Sequence, residues 1–191
     1  EGILSEKIQW FLNKMNHCQA EKEEKIAALK PVYPAITELA IPDCISNNIT
    51  LSTMHGCPQE EIESIGRYFI EEKRLHTTIK LNPTLLGPEP VREILNQSLG
   101  FKVNIPDQAF EHDLTFDSGV RLIRNLTQCS ENSGVGFNLK LSNTLETRNL
   151  GQKLPDHEKM IYLSGRALHP ISINLAAKLQ QTFEGKLDIS F

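Results

Sequence analysis

Residues 47–84 read NNITLSTMHGCPQEEIESIGRYFIEEKRLHTTIKLNPT, and this stretch decides the fold. Alternating runs rich in β-branched residues at 49–54 and 77–81 predict two strands. Between them, Pro58 suits the first turn of a helix whose apolar residues recur at helical spacing to about residue 74. Strands joined by a helix pair in parallel, so the stretch predicts one strand–helix–strand unit.

The same alternation continues along the chain. Further elements are predicted as helices from Pro90 to about Ser98, from Asp117 or Ser118 to about Ser130 and from Pro170 through Phe183, and as strands at 101–105, 136–141 and 187–191. Polar loops are predicted at 108–115 and from 142 to about 164. Five strands that alternate with helices predict an α/β domain with a parallel sheet, either a TIM-type (β/α)8 barrel or a doubly wound sheet.

Phosphate-binding motifs distinguish these two folds. No GxGxxG turn follows the first strand and the chain contains no P-loop, which disfavours a dinucleotide-binding doubly wound sheet. Each predicted strand instead ends in a different set of polar residues, as in barrels whose ligands contact many strand ends. We therefore expect residues 48–191 to be a TIM-type barrel portion, an incomplete (β/α)8 fragment with five of its strands.

Residues 1–47 are predicted to form a helical N-terminal segment and a linker. Apolar residues recur at helical spacing over 4–17, which predicts a helix with one buried face. Residues 19–30 either continue that helix or form a second one. Three prolines predict irregular structure over 31–47.

The composition excludes several classes of protein. Of the 191 residues, 39% are hydrophobic and 23% are charged, as in ordinary soluble globular proteins. The net charge of -4 gives no electrostatic basis for binding nucleic acid or an anionic membrane. No apolar run approaches the roughly 20 residues of a membrane-spanning helix, and no secretory signal is visible. The four cysteines lack a CxxC pair, so we expect reduced thiols in a cytoplasmic protein and no metal site.

The two ends of the chain suggest a longer polypeptide. The chain begins with Glu1-Gly2 rather than Met, and it stops within the alternating run 187–191. We therefore expect the other domains of a parent polypeptide as partners. We also expect the isolated chain to self-associate through unpaired strand edges.

Four motifs carry a resemblance to a known family: STMHGCP at 52–58, KLNPTLLG at 80–87, LKLSNT at 139–144 and SGRALHP at 164–170. Over roughly residues 45–191 the chain resembles the central region of the "putative selenate reductase" flavoprotein/iron–sulfur subunit. It is more distantly similar to the FMN-binding barrel of dihydropyrimidine and dihydroorotate dehydrogenases, in which a T-N-T strand end precedes a long loop and a Ser-Gly…Pro segment.

The resemblance implies a fold and an activity. It implies a (β/α)8 domain that holds FMN within a large multidomain oxidoreductase. It also implies FAD, NAD(P)H and 4Fe–4S modules in other parts of that polypeptide, and a molybdenum-containing subunit as a partner.

Polar residues that follow the predicted strands are candidates for cofactor binding. Lys80 and Lys140 would stabilise negative charge on a reduced flavin or a substrate carboxylate, unless they are solvated or ion-paired. The candidates for contacts to flavin edge atoms or substrate carbonyl groups are Asn82, Ser142, Asn143 and Thr144. Asn before Pro, as at position 82, is also an ordinary turn residue.

His55 and Cys57 are the candidate catalytic residues. His55 follows a strand and would shuttle protons near neutral pH, or it is a plain loop histidine. Cys57 lies near a helix N-terminus, which activates a thiol, but it also suits a structural position before Pro. Arg166, after Ser164 and Gly165, is a further cofactor-binding candidate because it would clamp a phosphate or a carboxylate.

The loop between the predicted strand 101–105 and the next helix holds side chains of metal-binding type. These are Asp107, His112 and Asp113. Their spacing fits no metal-binding pattern, so a solvated loop is expected.

Two functions therefore remain open. The first is an oxidoreductase barrel that binds FMN or a substrate at the carboxyl ends of its strands. The second is a non-catalytic barrel that docks electron-transfer modules. The first requires His55, Cys57 and Asn82 to lie on the same side of the sheet as residues 142–144.

Overall fold

A computed structural model describes residues 2–53, 55–150, 154–155 and 157–191. The predicted strand residue Met54, and positions 151–153 and 156 of the predicted long loop, lie outside the described residues. The chain divides into two compact units, one that ends at Asn48 and one that begins at Ile49. No helix of the described residues is long and apolar enough to cross a membrane.

The first unit contains two helices, α1 (Glu6–Asn16) and α2 (Gln19–Leu29), followed by a 3-10 turn at Pro34–Glu38. The helices are separate because the chain turns at Cys18, whose backbone N–H and thiol both donate to the carbonyl oxygen of Asp43. The prediction of a buried face on the first helix is wrong, since no residue of α1 is buried. A unit this small has too little interior volume to enclose one, and apolar residues such as Leu4, Trp10 and Phe11 stay exposed.

The second unit carries the remaining elements. In chain order they are β1 (Asn48–Ser52), α3 (Gln59–Arg67), β2 (His76–Leu81), α4 (Pro88–Arg92), α5 (Gln108–Glu111), α6 (Phe116–Ser133), β3 (Phe137–Leu141), β4 (Leu145–Arg148), β5 (Met160–Leu163), α7 (His169–Thr182) and β6 (Ile189–Ser190). Helices α3 and α4 each continue into a π-helical turn, at Tyr68–Glu72 and Glu93–Ser98. Helix α6 is capped by Thr115, two residues before the earliest predicted cap, and ends at Gly134, which has a φ of 64°.

Four strands form the main sheet, in the order β1-β2-β3-β6. Strands β2 and β3 pair in parallel with Lys80 opposite Lys140, and β3 pairs in parallel with β6, with Lys140 opposite Ser190. The strands follow one another across the sheet as they do along the chain. A doubly wound sheet would instead reverse its strand order at a switch point.

The helices cover one face of this sheet. Ile79, Leu81, Leu139 and Leu141 are buried in a single cluster with side chains from α3, α4, α6 and α7. The alternate strand residues, such as Lys80 and Lys140, point to the other face and stay partly exposed. Helices on one face of a parallel sheet form the wall of a barrel, whereas a doubly wound sheet has them on both. The predicted α/β fold with TIM-type parallel units is confirmed.

The predicted strand at 101–105 is wrong, because these residues join no ladder. Strand β2 pairs directly with β3, which leaves no place in the sheet between them. The Asn96 side chain instead donates to the Val103 carbonyl at 3.0 Å and accepts from the Val103 N–H at 2.9 Å. The carbonyl of Asn104 accepts from the Arg148 N–H at 2.8 Å. The backbone groups of this segment are satisfied outside the sheet.

The long loop predicted after β3 contains an antiparallel pair. Strands β4 and β5 pair with Leu145 opposite Leu163 and Arg148 opposite Met160. Each strand has only four residues, and eleven residues separate them, so neither shows the short-range hairpin signal of a tight turn. The predicted loop at 108–115 likewise contains the short helix α5.

Candidate functional site

The ends of β1, β2 and β3 are joined by one amide side chain, that of Asn143. The two hydrogens of its Nδ2 are shared among three acceptors, Asn82 Oδ1 at 2.9 Å, the Thr53 carbonyl at 2.9 Å and the Lys80 carbonyl at 3.0 Å. Its Oδ1 accepts from Ser52 Oγ at 2.7 Å. We call these five residues the Asn143 clasp. The clasp brings the predicted site residues Asn82 and Asn143 together at the carboxyl edge of the sheet.

The clasp also uses the polar atoms that a ligand would need. Both Asn143 side-chain atoms and Asn82 Oδ1 already have partners within the protein. Ser142 Oγ donates to the Asn143 carbonyl at 3.0 Å and lies 3.3 Å from Ser172 Oγ on α7. The structure therefore gives these side chains a role in joining strand ends, and their contact with a cofactor stays a prediction.

Lys80 and Lys140 are neighbours on the face that the helices leave open. They are register partners one residue before the ends of β2 and β3. Lys140 Nζ lies 3.3 Å from the Phe191 carbonyl oxygen, and within the described residues neither lysine has a carboxylate partner. Adjacent strands are about 4.8 Å apart, so the two side chains leave the sheet side by side. Two like charges at this distance repel and favour an anion between or beside them.

His55 is held by a buried carboxylate, that of Asp113. Nδ1 of His55 lies 2.9 Å from Asp113 Oδ2, and the Asp113 side chain is only 1% exposed. Thr84 Oγ1 donates to the same oxygen at 2.6 Å, and the Gly56 N–H donates to Oδ1 at 3.0 Å. The expectation of a solvated loop is therefore wrong at Asp113. Three donors offset the cost of burying its charge.

The pair shifts the pKa of both groups. The hydrogen bond from Asp113 is the main cause that raises the pKa of His55, against a lowering by burial, and the charge of Glu146 raises it further. Burial raises the pKa of Asp113, but the hydrogen bonds from His55, Thr84 and Gly56 together outweigh burial and leave that pKa below its usual value. The structure therefore favours an imidazolium–carboxylate pair.

Nε2, the other ring nitrogen of His55, has a different environment from Nδ1. Nε2 is shielded from solvent and has no hydrogen-bond partner among the described residues. The backbone carbonyl of Thr144 still contributes to raising the pKa of His55, and the ring of Tyr162 lies 6.3 Å away between centroids. His55 therefore lies beside the chain that leaves β3 and beside the β4–β5 pair. As predicted, the tips of β1, β2 and β3 share one side of the sheet.

Cys57 lacks the environment of a reactive thiol. Burial is the main cause that raises its pKa, and the neighbouring carboxylate of Glu61 raises it further. A raised pKa opposes formation of the thiolate that a nucleophile requires. All four cysteines of the chain are free thiols.

Ser164, Gly165 and Arg166 lie at the start of the 3-10 turn that leads into α7. Gly165 has a φ of 64°, which favours glycine there. All three residues are exposed, and in the described part of the chain none makes a side-chain hydrogen bond to the Asn143 clasp or to His55. Their binding of a cofactor stays a prediction.

No group of three or more His, Cys, Asp or Glu residues in the described ranges could hold a metal ion. Asp107 is exposed and pairs with Arg92 at 2.5 Å. That Asp107, His112 and Asp113 form no metal-binding pattern is a prediction from their spacing. In the structure, the Asp113 carboxylate contacts the His55 ring.

Sequence reasoning missed Asp113 and Thr84 as members of the site. Asp113 is 58 residues from His55 along the chain, and Thr84 is 29 residues from Asp113. No local motif links residues at such separations. A Thr directly after the Asn-Pro turn and an Asp at the end of a polar loop are also ordinary residues for loops.

Comparison with known proteins identifies the family. The model of the family "Oxidoreductase YgfK, N-terminal TIM-barrel domain" matches residues 1–191. Proteins named "Putative oxidoreductase YgfK" from Escherichia coli K12 and from Escherichia coli O157:H7 are each 45% identical over 175 residues, which is 92% of this chain. The chain spans 16% of the length of these relatives. No solved structure matches the chain. The chain belongs to the family of the N-terminal TIM-barrel domain of the oxidoreductase YgfK.

Proposed function

We propose that this domain, as one part of a larger oxidoreductase, binds an anionic cofactor or substrate at the carboxyl ends of its strands. One observation carries the proposal: Lys80 and Lys140 lie side by side on the open face, with no carboxylate partner in the described residues. Placing two partly buried cations together is unfavourable unless an anion offsets their charge. Ligands of barrel enzymes bind at this end of the strands.

FMN is the cofactor that we propose for this place. Its phosphate and its reduced ring are both anionic, which suits a pair of lysines. When bound, a flavin supplies hydride and single-electron transfer. Lys80 and Lys140 would hold its anionic part, with Thr144, Ser142, Asn82 and Asn143 at its edge. Ser164, Gly165 and Arg166 would contact another part of the same ligand.

The rest of the parent polypeptide would supply the other redox centres. We propose FAD and 4Fe–4S modules outside this domain, and a molybdenum-containing subunit as an external partner. Selenate, a dianionic oxyanion, is a substrate whose charge the lysine pair would also accommodate. The length of the relatives, of which this chain spans 16%, leaves room for such modules.

A second function, a non-catalytic scaffold, is favoured by a different observation. The side-chain amides of Asn82 and Asn143 are used inside the clasp rather than aimed at a ligand. A barrel that had lost its flavin would keep such contacts, because they stabilise the sheet. It would then position electron-transfer modules without binding a cofactor of its own.

Flavin extraction from the full-length protein separates the two functions. We expect FMN in stoichiometric amount, and we expect Lys80→Gln with Lys140→Gln to weaken FMN binding by roughly tenfold or more, because two charge-assisted contacts are lost. The matched control is Lys102→Gln, which removes an exposed lysine outside the sheet. A protein that contains FAD alone, in amounts unchanged by the double substitution, would instead support the scaffold.

A further inference from the structure

We propose that His55 transfers a proton to or from the ligand at the strand ends through Nε2, and that Asp113 is the positioning residue that holds its ring. The proton-transfer role rests on the proposed function, because it requires a substrate at this end of the sheet. The geometry of the pair stands independently of the identity of that substrate.

Two hydrogen bonds other than its contact with His55 hold the Asp113 carboxylate in place. Its Oδ1 accepts from the Gly56 N–H at 3.0 Å, and its Oδ2 accepts from Thr84 Oγ1 at 2.6 Å. The carboxylate therefore bridges the loop after β1 and the turn after β2, and it cannot rotate without losing one of these bonds. An acceptor held in this way fixes the proton of His55 on Nδ1.

Nε2 is consequently the ring nitrogen that can exchange a proton. It is shielded from solvent and completes no hydrogen bond within the described residues, although the carbonyl oxygen of Thr144 is close enough to the ring to raise its pKa. A histidine with a purely structural role would normally have both ring nitrogens satisfied. An unpaired nitrogen beside the candidate ligand site is instead suited to a partner that arrives with the substrate.

The charged and titratable groups around the ring come from several elements. Asp113 approaches from the loop before α6, Glu146 from β4 and Tyr162 from β5, while Cys57 follows in the same loop. Both carboxylates favour the charged ring, so His55 can act first as an acid. Cys57 is a poor alternative donor because burial raises the pKa of its thiol.

The proton-transfer step is balanced without any further reactant. The Nε2–H bond breaks and its electron pair stays on the nitrogen, while a lone pair on a substrate oxygen or nitrogen forms the new bond to hydrogen. The Nδ1–H stays hydrogen-bonded to Asp113, which remains ionised throughout. Water returns a proton to the ring after product leaves, and the reverse sequence makes His55 a base.

Acylation by diethyl pyrocarbonate tests the inference, because this reagent attacks the unprotonated nitrogen of an accessible histidine. In the full-length protein, peptide mapping by mass spectrometry would follow His55, with His157, whose side chain is 77% exposed, as an internal reference. The His55 side chain is 29% exposed, so we expect it to react, more slowly than His157 because Nε2 is shielded, and with a pH midpoint above that of a free histidine. Asp113→Asn should lower this midpoint, and Asp107→Asn, in the same loop but exposed, should not.

Two results of the acylation experiment would contradict the inference. A His55 that resists the reagent at high pH while His157 reacts would identify a sealed structural ion pair and overturn the inference. A midpoint unaffected by Asp113→Asn would remove Asp113 as the positioning residue. Adding FMN tests the proposed function separately: slower acylation of His55 supports it, whereas unchanged acylation counts against FMN and leaves the reactivity of His55 established.

Discussion

At the scale of single residues, the His55–Asp113 pair shows how tertiary contacts assign chemistry to a loop. A histidine after a strand and an aspartate in a polar loop are unremarkable in sequence. Together they form a contact of 2.9 Å in which the carboxylate is almost completely buried. The pair therefore makes the stability of the fold depend on pH.

The pH dependence follows from the directions of the two pKa shifts. The pKa of His55 is raised above its ordinary 6.5, so its contribution is complete below that pH and is lost as pH rises through the folded value. The pKa of Asp113 is lowered from 3.8, so its contribution is complete above that pH and is lost as pH falls through the folded value. The pair should stabilise the fold most between pH 3.8 and 6.5.

Chemical denaturation across this range checks the prediction. We expect the free energy of unfolding of the unmodified chain to exceed that of His55→Gln most within the window, and the difference to shrink on the alkaline side. The control is His112→Gln. His112 directly precedes Asp113 in the chain but makes no ion pair with it. Parallel pH curves for the unmodified chain and His55→Gln would contradict the assignment.

At the scale of elements, the Asn143 clasp links three strands that the backbone ladder alone would hold less firmly. The clasp acts at the carboxyl edge, where β1, β2 and β3 end and their ladders stop. Beyond that edge, the polar groups of the strand ends need side-chain partners. One amide therefore fixes the relative positions of the tips that carry Lys80 and Asn82.

Removal of the clasp should destabilise the domain. We expect Asn143→Ala to lower the free energy of unfolding by about 2–4 kcal/mol, because it removes several hydrogen bonds and leaves the buried Asn82 side chain without its donor. Asn138→Ala is the matched control, because Asn138 lies in β3, the strand that Asn143 follows, and makes no side-chain hydrogen bond within the described residues. We expect it to cost less than about 1 kcal/mol in urea denaturation. Equal losses would show that the clasp contributes no stability of its own.

At the scale of the whole molecule, the main sheet has an open face and two open edges. Within the described residues, β1 and β6 each have one neighbouring strand, and no helix of the second unit packs in the buried cluster from the face that carries Lys80 and Lys140. A closed barrel would remove both edges. The isolated chain should therefore associate with itself.

Sedimentation of the isolated chain tests this expectation. We expect species larger than a monomer at concentrations on the order of tens of micromolar, since unpaired edges pair with other chains. Thr50→Lys, which places a charge on edge strand β1, should reduce the association. Ser64→Lys, on the exposed side of α3, should leave it unchanged. A strictly monomeric species would contradict the role of the open edges.

The alternation of strands and helices, and with it the barrel type of fold, could be predicted from the sequence. The spacing of apolar residues indicates which side of an element is buried, and it is the main signal for secondary structure in a sequence. Examples are the alternating run Thr77–Leu81 and the helical pattern of α6. The lysines at the strand ends were recognisable for the same reason. Each lies between two buried leucine or isoleucine residues, where a charged residue must point away from the core.

Only the tertiary structure decided which of these residues act together. The run Phe101–Ile105 alternates like a strand but is excluded from the sheet, because β3 occupies the edge of β2. Asp113 was expected to be solvated but is buried against His55, and Asn143, a candidate for ligand contacts, joins strand ends through its side chain. The physical reason is that local patterns reflect the solvent exposure of a segment. Strand pairing and hydrogen bonding depend instead on which groups from distant parts of the chain occupy the neighbouring positions.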